Sequence, residues 1–288
     1  MIEILRELFN FIKNPTDTRI ENWSLQKNAK YFFAFLGITF ITCVLFFIPS
    51  SYLISKTELL IHDLRIDYKN NSLLQKAFIA IIFAPILEEY FFRYFLRYNR
   101  FISFLMKEKT WDKIFKYLVY TSITVFALVH SSNYINDSLF FYFMIPFILG
   151  PQLVAGIVLT FLRVKFNFGS SVLLHICWNG LMISLVLLGT YFDKPYVKEE
   201  ANYTLKIESL AFNTKSGQKF AVEADSGKVY KASIKEYSLN HVLDSLFQHE
   251  RKAEDQLLNL EVESKDGLSK EELKKELLTY GESQQDFF

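Results

Sequence analysis

Only two cysteines occur among the 288 residues, Cys43 and Cys177, and each sits inside an apolar run. That excludes a disulfide framework and a Cys-x-x-Cys metal or redox site. Charged residues make up 22% against 51% hydrophobic, which excludes an intrinsically disordered chain. No basic cluster is interleaved with aromatics, so nucleic acid is not an expected partner. The opening helix carries Glu3 and Glu7, so it is no secretory signal peptide. The sequence also lacks a Gly-x-Ser-x-Gly elbow, a Ser-His-Asp set and a His-Glu-x-x-His zinc helix.

What is abundant is phenylalanine, 30 residues of it, in a chain of net charge +1. The near-neutral total hides two unlike parts. Residues 1–194 hold 19 Lys+Arg and 13 Asp+Glu, and residues 195–288 hold 13 and 18. A basic, aromatic part is joined to an acidic, ordinary one, and the two face different surroundings.

Met1–Lys13 places Ile2, Leu5, Leu8, Phe9 and Ile12 on one helical face, the pattern of an interfacial amphipathic helix. Five apolar runs follow: Tyr31–Ile54, Ala77–Leu96, Ile114–His130, Leu139–Leu162 and Ser170–Phe192. A crossing needs about 20 apolar residues for a core of about 30 Å. The expected fold is an all-α multipass membrane helical bundle of about five spans with a small C-terminal α+β extramembrane domain. Residues 1–30 form the interfacial segment, 31–193 the transmembrane domain and 195–288 the appended domain.

Loop cations set the orientation. Arg6, Lys13, Arg19, Lys27 and Lys30, then Arg97, Arg100, Lys107, Lys109 and Lys113, then Arg163 and Lys165 share one side if all five runs cross. The other side has Lys56, Arg65, Lys69, Lys76, Lys194 and Lys198. The bias puts the N-terminus in the cytoplasm, with a bacterial plasma membrane as the expected location. It puts residues after about 193 outside only if Leu139–Leu162 is one complete crossing.

In the acidic part, Tyr203–Phe212, Lys219–Ala224 and Lys228–Tyr237 read as strands, with a turn at Asp225-Ser226-Gly227. Ser238 caps a helix through Phe247. Ser269 with Glu272 forms a capping box for a last helix that Gly281 closes. His241 and His249 have no neighbours at metal-ligand spacing and read as surface residues.

Ionisable groups in a bilayer are costly unless paired or hydrated. Yet Glu88, Glu89 and Arg93 share one apolar run, His130 ends the next and His175 lies in the last. Glu89 and Arg93 are i,i+4 neighbours and can pair. Glu88 lies about 100° round the helix and is left without a partner from its own helix. Such a carboxylate is protonated by desolvation or meets a polar partner and water from another helix, the setting of a general acid or base. His130 stands one turn above Phe126, and His175 and Asn179 share a helix face. Each is an ordinary packing group when taken alone. Together they suit hydrolysis: Glu88 and His130 to activate water, His175 and Asn179 to hydrogen-bond an oxyanion. A metal such as zinc on Glu88, His130 and His175 stays open, because three ligands plus water is the usual catalytic site.

These residues resemble the CPBP family of intramembrane proteases, which includes type II CAAX prenyl endopeptidases and the Abi proteins of bacteriocin processing and self-immunity. Its Glu-Glu-x-x-x-Arg, Phe-x-x-x-His and His-x-x-x-Asn motifs stand here as Glu88-Glu89-x-x-x-Arg93, Phe126-x-x-x-His130 and His175-x-x-x-Asn179. The resemblance covers roughly residues 75–190. It implies that Glu88 and His130 activate the water, that Glu89 and Arg93 form a structural or substrate-orienting pair, and that His175 and Asn179 hold the oxyanion. The glutamate-type mechanism requires no cofactor. The implied partners are a peptide or protein substrate at the membrane and membrane lipid. A non-catalytic scaffold or self-immunity protein of the same fold is the first alternative, and a transporter or proton relay the second.

Overall fold

The structure, a computed structural model, describes residues 1–20, 24–55, 73–133, 138–212, 217–247 and 255–285. His249 and the loop cations Lys56, Arg65 and Lys69 lie outside the described residues. Two compact units are present. One comprises Met1–Ser50, Ile79–Ser132 and Ser138–Met182; the other comprises Ser51–Phe78, Asn133–Asp137 and Ile183–Phe288.

The first unit is helical. Helix α1 (Ile2–Lys13) buries Ile4, Leu8 and Phe11 and exposes Ile2, Leu5 and Phe9. The sequence pattern groups Leu8 with the outward residues, but in the structure Leu8 turns inward one turn after Ile4. Phe11 meets Phe161 edge-on, with ring centroids 5.4 Å apart. The helix is therefore apolar on both sides, which suits a position between bundle and lipid.

Three helices are long and apolar enough to cross a membrane: α2 (Leu25–Ser55, apolar over Leu25–Phe46), α6 (Glu108–Val129, continued by a 3₁₀ turn His130–Asn133) and α9 (Phe168–Phe192). Between the last two, α7 (Leu139–Ile148) and α8 (Gly150–Lys165) meet at a 43° bend and make a fourth crossing if taken as one. Pro146 removes a backbone donor just before the bend and Pro151 follows it. The ring of Phe46 fills the space a side chain on Gly150 would need, 2.8 Å from such a Cβ.

By length and apolarity the described residues supply three or four crossings, not the expected five. The shortfall lies at Ala77–Leu96. That run is divided into α3 (Leu73–Phe78), a π-helical segment Ile79–Phe83 and α4 (Ala84–Arg93), none of which is span-length alone. After a short α5 (Arg100–Leu105), the chain enters α6.

Arginines lock one end of this bundle. Arg163 near the end of α8 donates from Nε to Arg93 O at 3.0 Å and from Nη2 to Tyr94 O at 2.7 Å. Arg97, just past α4, returns the bond by donating from Nη2 to Val164 O at the end of α8. Each arginine thus satisfies carbonyls that the other helix's C-terminus leaves open. Asp17 neutralises Arg97 at 2.8 Å and also accepts from Trp111 Nε1 at 3.0 Å, near the start of α6. Asn28 near the start of α2 donates to Ser170 near the start of α9 at 3.1 Å. The beginnings of α2, α6 and α9 and the ends of α4 and α8 therefore meet at one end, and successive helices run antiparallel.

In the second unit, residues from Tyr196 form a five-stranded antiparallel sheet of order β1-β2-β5-β4-β3. The strands are β1 (Tyr196–Glu199), β2 (Tyr203–Leu210), β3 (Lys219–Asp225), β4 (Lys228–Ser238) and β5 (Leu257–Ser269). The β3–β4 turn has Ser226 at φ 49° and Gly227 at φ 80°, the left-handed pair of a tight hairpin. Helices α10 (Leu239–Phe247) and α11 (Lys270–Gln285) close the core around Leu205, Ile234, Leu260, Leu273 and Leu277. Ser238 caps α10 and Ser269 caps α11 as expected, at 3.1 and 3.2 Å. Gly281 does not stop α11, which runs on to Gln285. Half-buried His241 stacks on Tyr237 with centroids 4.8 Å apart.

Candidate active site

The site begins on α4, where Glu88 and Glu89 follow one another. Glu89 and Arg93 are wholly buried and ion-paired through Glu89 Oε1 and Arg93 Nη1, one turn apart. Arg93 also donates from Nε to Thr160 Oγ1 on α8 at 3.2 Å, and its guanidinium lies 4.1 Å from the Phe126 ring centre. A buried charge is tolerated on such terms: opposite charge, hydrogen bonds and an aromatic face together offset the lost water.

Glu88 points elsewhere. Its side chain is 30% exposed, yet Oε2 is itself buried and has no hydrogen-bond partner. The ionisable group that faces it is His175 on α9. The imidazole Nε2 stands 3.6 Å from Glu88 Oε2 while Nδ1 stands 3.0 Å from Glu89 Oε1. One imidazole thus faces both carboxylates, and the partner that Glu88 lacks on its own helix is supplied by another. Ser122 on α6 fixes the neighbouring turn of α4 by donating to Phe92 O at 2.5 Å.

His130 enters this cluster through Phe126. Its ring is edge-on to Phe126 at 4.9 Å between centroids, and Phe126 is 6.0 Å from His175 in the same manner. His130 Nδ1 lies 2.8 Å from Phe126 O, which makes Nδ1 the protonated nitrogen and leaves Nε2 as the free one. Asn179 lies one turn beyond His175, and its Nδ2 donates to Ala80 O in the π segment at 2.9 Å. Glu88, Glu89, Arg93, Phe126 and His175 are therefore gathered; His130 adjoins them through the Phe126 ring on its own helix, and Asn179 is anchored beside them on Ala80.

As placed, these residues do not form a metal-ligand set. Among the described residues no three His, Cys, Asp or Glu side chains converge on one point.

Residues 70–181 match the Rce1-like family, described as type II CAAX prenyl endopeptidase Rce1-like. The likeness to that family spans residues 70–181, less than half of the chain. The match contains Glu88, Glu89, Arg93, Phe126, His130, His175 and Asn179 and agrees with the CPBP resemblance of the three motifs. Rce1-like proteins are CAAX proteases, so the match supports a peptidase, and with the apolar helices it makes this a multipass membrane protein. No curated protein and no solved structure matches the chain.

Several contributors were not legible as site residues in the sequence. Thr160 reads as one threonine in an apolar run, although it holds Arg93. Arg97 and Arg163 read as loop cations, although they fix the end of α4. The available signal was that Arg163 directly follows an uncharged run, where a solvated cation is not required.

Proposed function

We propose that the chain is a CPBP-type intramembrane endopeptidase with Glu88 as its general base. The observation that carries this reading is the buried, unpartnered Oε2 of Glu88 beside His175 in a cluster of ionisable side chains. A carboxylate oxygen without a donor is where a water binds, and a base must lie within hydrogen-bond reach of that water. His130 supports the water through its free Nε2. Glu88 takes the water's proton, the hydroxide adds to the peptide carbonyl, and Glu88 then returns the proton to the leaving amine. With Nδ1 held against Glu89, His175 presents Nε2 to the oxyanion that develops near Glu88. Glu89 and Arg93 hold His175 in that orientation.

The substrate in this reading is a peptide or protein segment presented at the membrane, and a CAAX-type C-terminus is the first candidate. The N-terminus lies in the cytoplasm and the chain beyond α9 on the other face, in a bacterial plasma membrane. The loop-cation bias and the antiparallel run of the helices support that orientation.

The test is cleavage by purified protein of membrane-anchored peptides, prenylated and unprenylated, with Glu88→Gln as control. Glu88→Gln should lower kcat by about 10²–10⁴-fold while the protein stays folded, the usual worth of a general base. Turnover unchanged in Glu88→Gln would overturn the assignment and favour a scaffold.

A further inference from the structure

We infer that Asn179 is a positioning residue whose carboxamide replaces the backbone donor that Pro85 removes from the π segment below Glu88. In a π-helix each carbonyl is bonded by the N–H five residues on. For Ala80 that residue is Pro85, which has no N–H. The carbonyl so deprived is the one that takes a side-chain donor from a different helix, Asn179 Nδ2 at 2.9 Å. Pro85 is buried, so water does not readily replace the missing donor.

The packing agrees with this pairing. Gly180 follows Asn179, and a Cβ placed there would lie 3.6 Å from Ile81, so α9 runs directly against the π segment. A π turn also widens the helix by one residue per turn, which changes the rotation of everything after it. Glu88 and Glu89 lie one turn beyond Pro85. With the π turn in place, Glu89 faces Arg93 and His175 Nδ1 while Glu88 faces His175 Nε2. Asn179 and His175, one turn apart on α9, therefore hold the two ends of the same geometry. The first fixes the bulge before the carboxylates, and the second meets the carboxylates themselves. This inference rests on the peptidase reading only for its kinetic consequence; the hydrogen-bond pairing stands independently of it.

The experiment is a double-substitution cycle in the full-length protein, purified in detergent, with Asn179→Ala and Pro85→Ala alone and together. Pro85→Ala restores a backbone N–H that can reach the Ala80 carbonyl. Thermal unfolding and kcat on a cleaved peptide are both read. Asn179→Ala should lower the melting temperature by several degrees and kcat by about 10²-fold, the usual effect of a small displacement of catalytic groups. In the Pro85→Ala background both losses should largely disappear. Asn179→Ala that folds only together with Pro85→Ala also supports the inference. Equal losses in both backgrounds, or failure to fold in both, would overturn it and leave the carboxamide acting elsewhere, such as on the oxyanion. A coupled melting temperature in a protein that cleaves nothing would reject the peptidase reading and keep the positioning role.

Discussion

At the scale of single residues, the buried Glu89–Arg93 pair shows how a membrane helix holds charge. Arg93 is fully buried and its contacts are Glu89, Thr160 and the Phe126 face. Replacing Arg93 by Met leaves the Glu89 carboxylate buried without its arginine, facing the His175 imidazole. That should cost about 3–5 kcal/mol, the range for breaking a buried ion pair. Glu89→Leu with Arg93→Met removes both charges and should be less destabilised than the single variant, because no unpaired charge remains. Cleavage should stay low in the double variant, since His175 Nδ1 loses its acceptor. Thermal unfolding and kcat together check this; a double variant no more stable than Arg93→Met alone would contradict it. The pairing was legible in the sequence because i,i+4 spacing is a local rule. The 3.6 Å approach of His175 to Glu88 was not, because it depends on how α9 packs on α4.

At the scale of elements, the two arginine caps tie α4 to α8 more specifically than apolar packing does. Arg163 donates in a fork to two carbonyls, a geometry that an ammonium does not reproduce. Arg163→Lys should therefore cost about 1–3 kcal/mol in stability, the worth of a buried acceptor left unmade. It should also lower kcat, since the end of α4 is set by those bonds. Equal stability in the lysine variant, measured by thermal unfolding, would show that charge alone suffices. In the C-terminal sheet, Glu276 on α11 accepts from Lys198 Nζ at 2.7 Å and from Tyr196 OH at 3.0 Å, which fastens β1. Burial pushes the Glu276 carboxyl up, but these donors outweigh it and hold it below the usual carboxylate range. A carboxyl lowered in the folded state stabilises at pH above its unfolded value, and that contribution is lost as pH falls through the folded one. The protection of β1 and α11 amides, taken relative to the intrinsic exchange rate at each pH, should therefore fall on acidification. In Glu276→Gln it should be lower than in wild type at neutral pH and less sensitive to acid. Strands β2 to β4 were legible from alternation and from the Asp225-Ser226-Gly227 turn. Strand β5 shows the same alternation in Leu258, Leu260 and Val262, although it was not anticipated; its partners β2 and β4 are both distant in sequence.

At the scale of the whole molecule, apolar runs reveal a membrane protein, but counting them does not give the crossings. Proline and the π segment divide Ala77–Leu96 into pieces, and a 43° bend divides Leu139–Lys165. The direction of each helix is the better guide. The starts of α2, α6 and α9 and the ends of α4 and α8 share one end, and that end carries Arg19, Lys27, Arg97, Arg163 and Lys165. In the proposed orientation, which follows the bias of positive residues to the cytoplasmic face, this end is cytoplasmic and α9 leaves toward the opposite face. The expected outcome in sealed cells is distinct for two engineered cysteines, with Cys43 and Cys177 replaced by Ala. Ser24→Cys, before α2, should be protected from an impermeant thiol reagent until the membrane is opened. Lys231→Cys, in β4, where the side chain is 54% exposed, should react at once. Protection of both would mean that the acidic sheet domain shares the cytoplasm with the basic end and would overturn this orientation. Labelling of Lys231→Cys alone would mean that α9 carries the chain from the basic end to the opposite face, which sets the charge asymmetry of the chain across the bilayer.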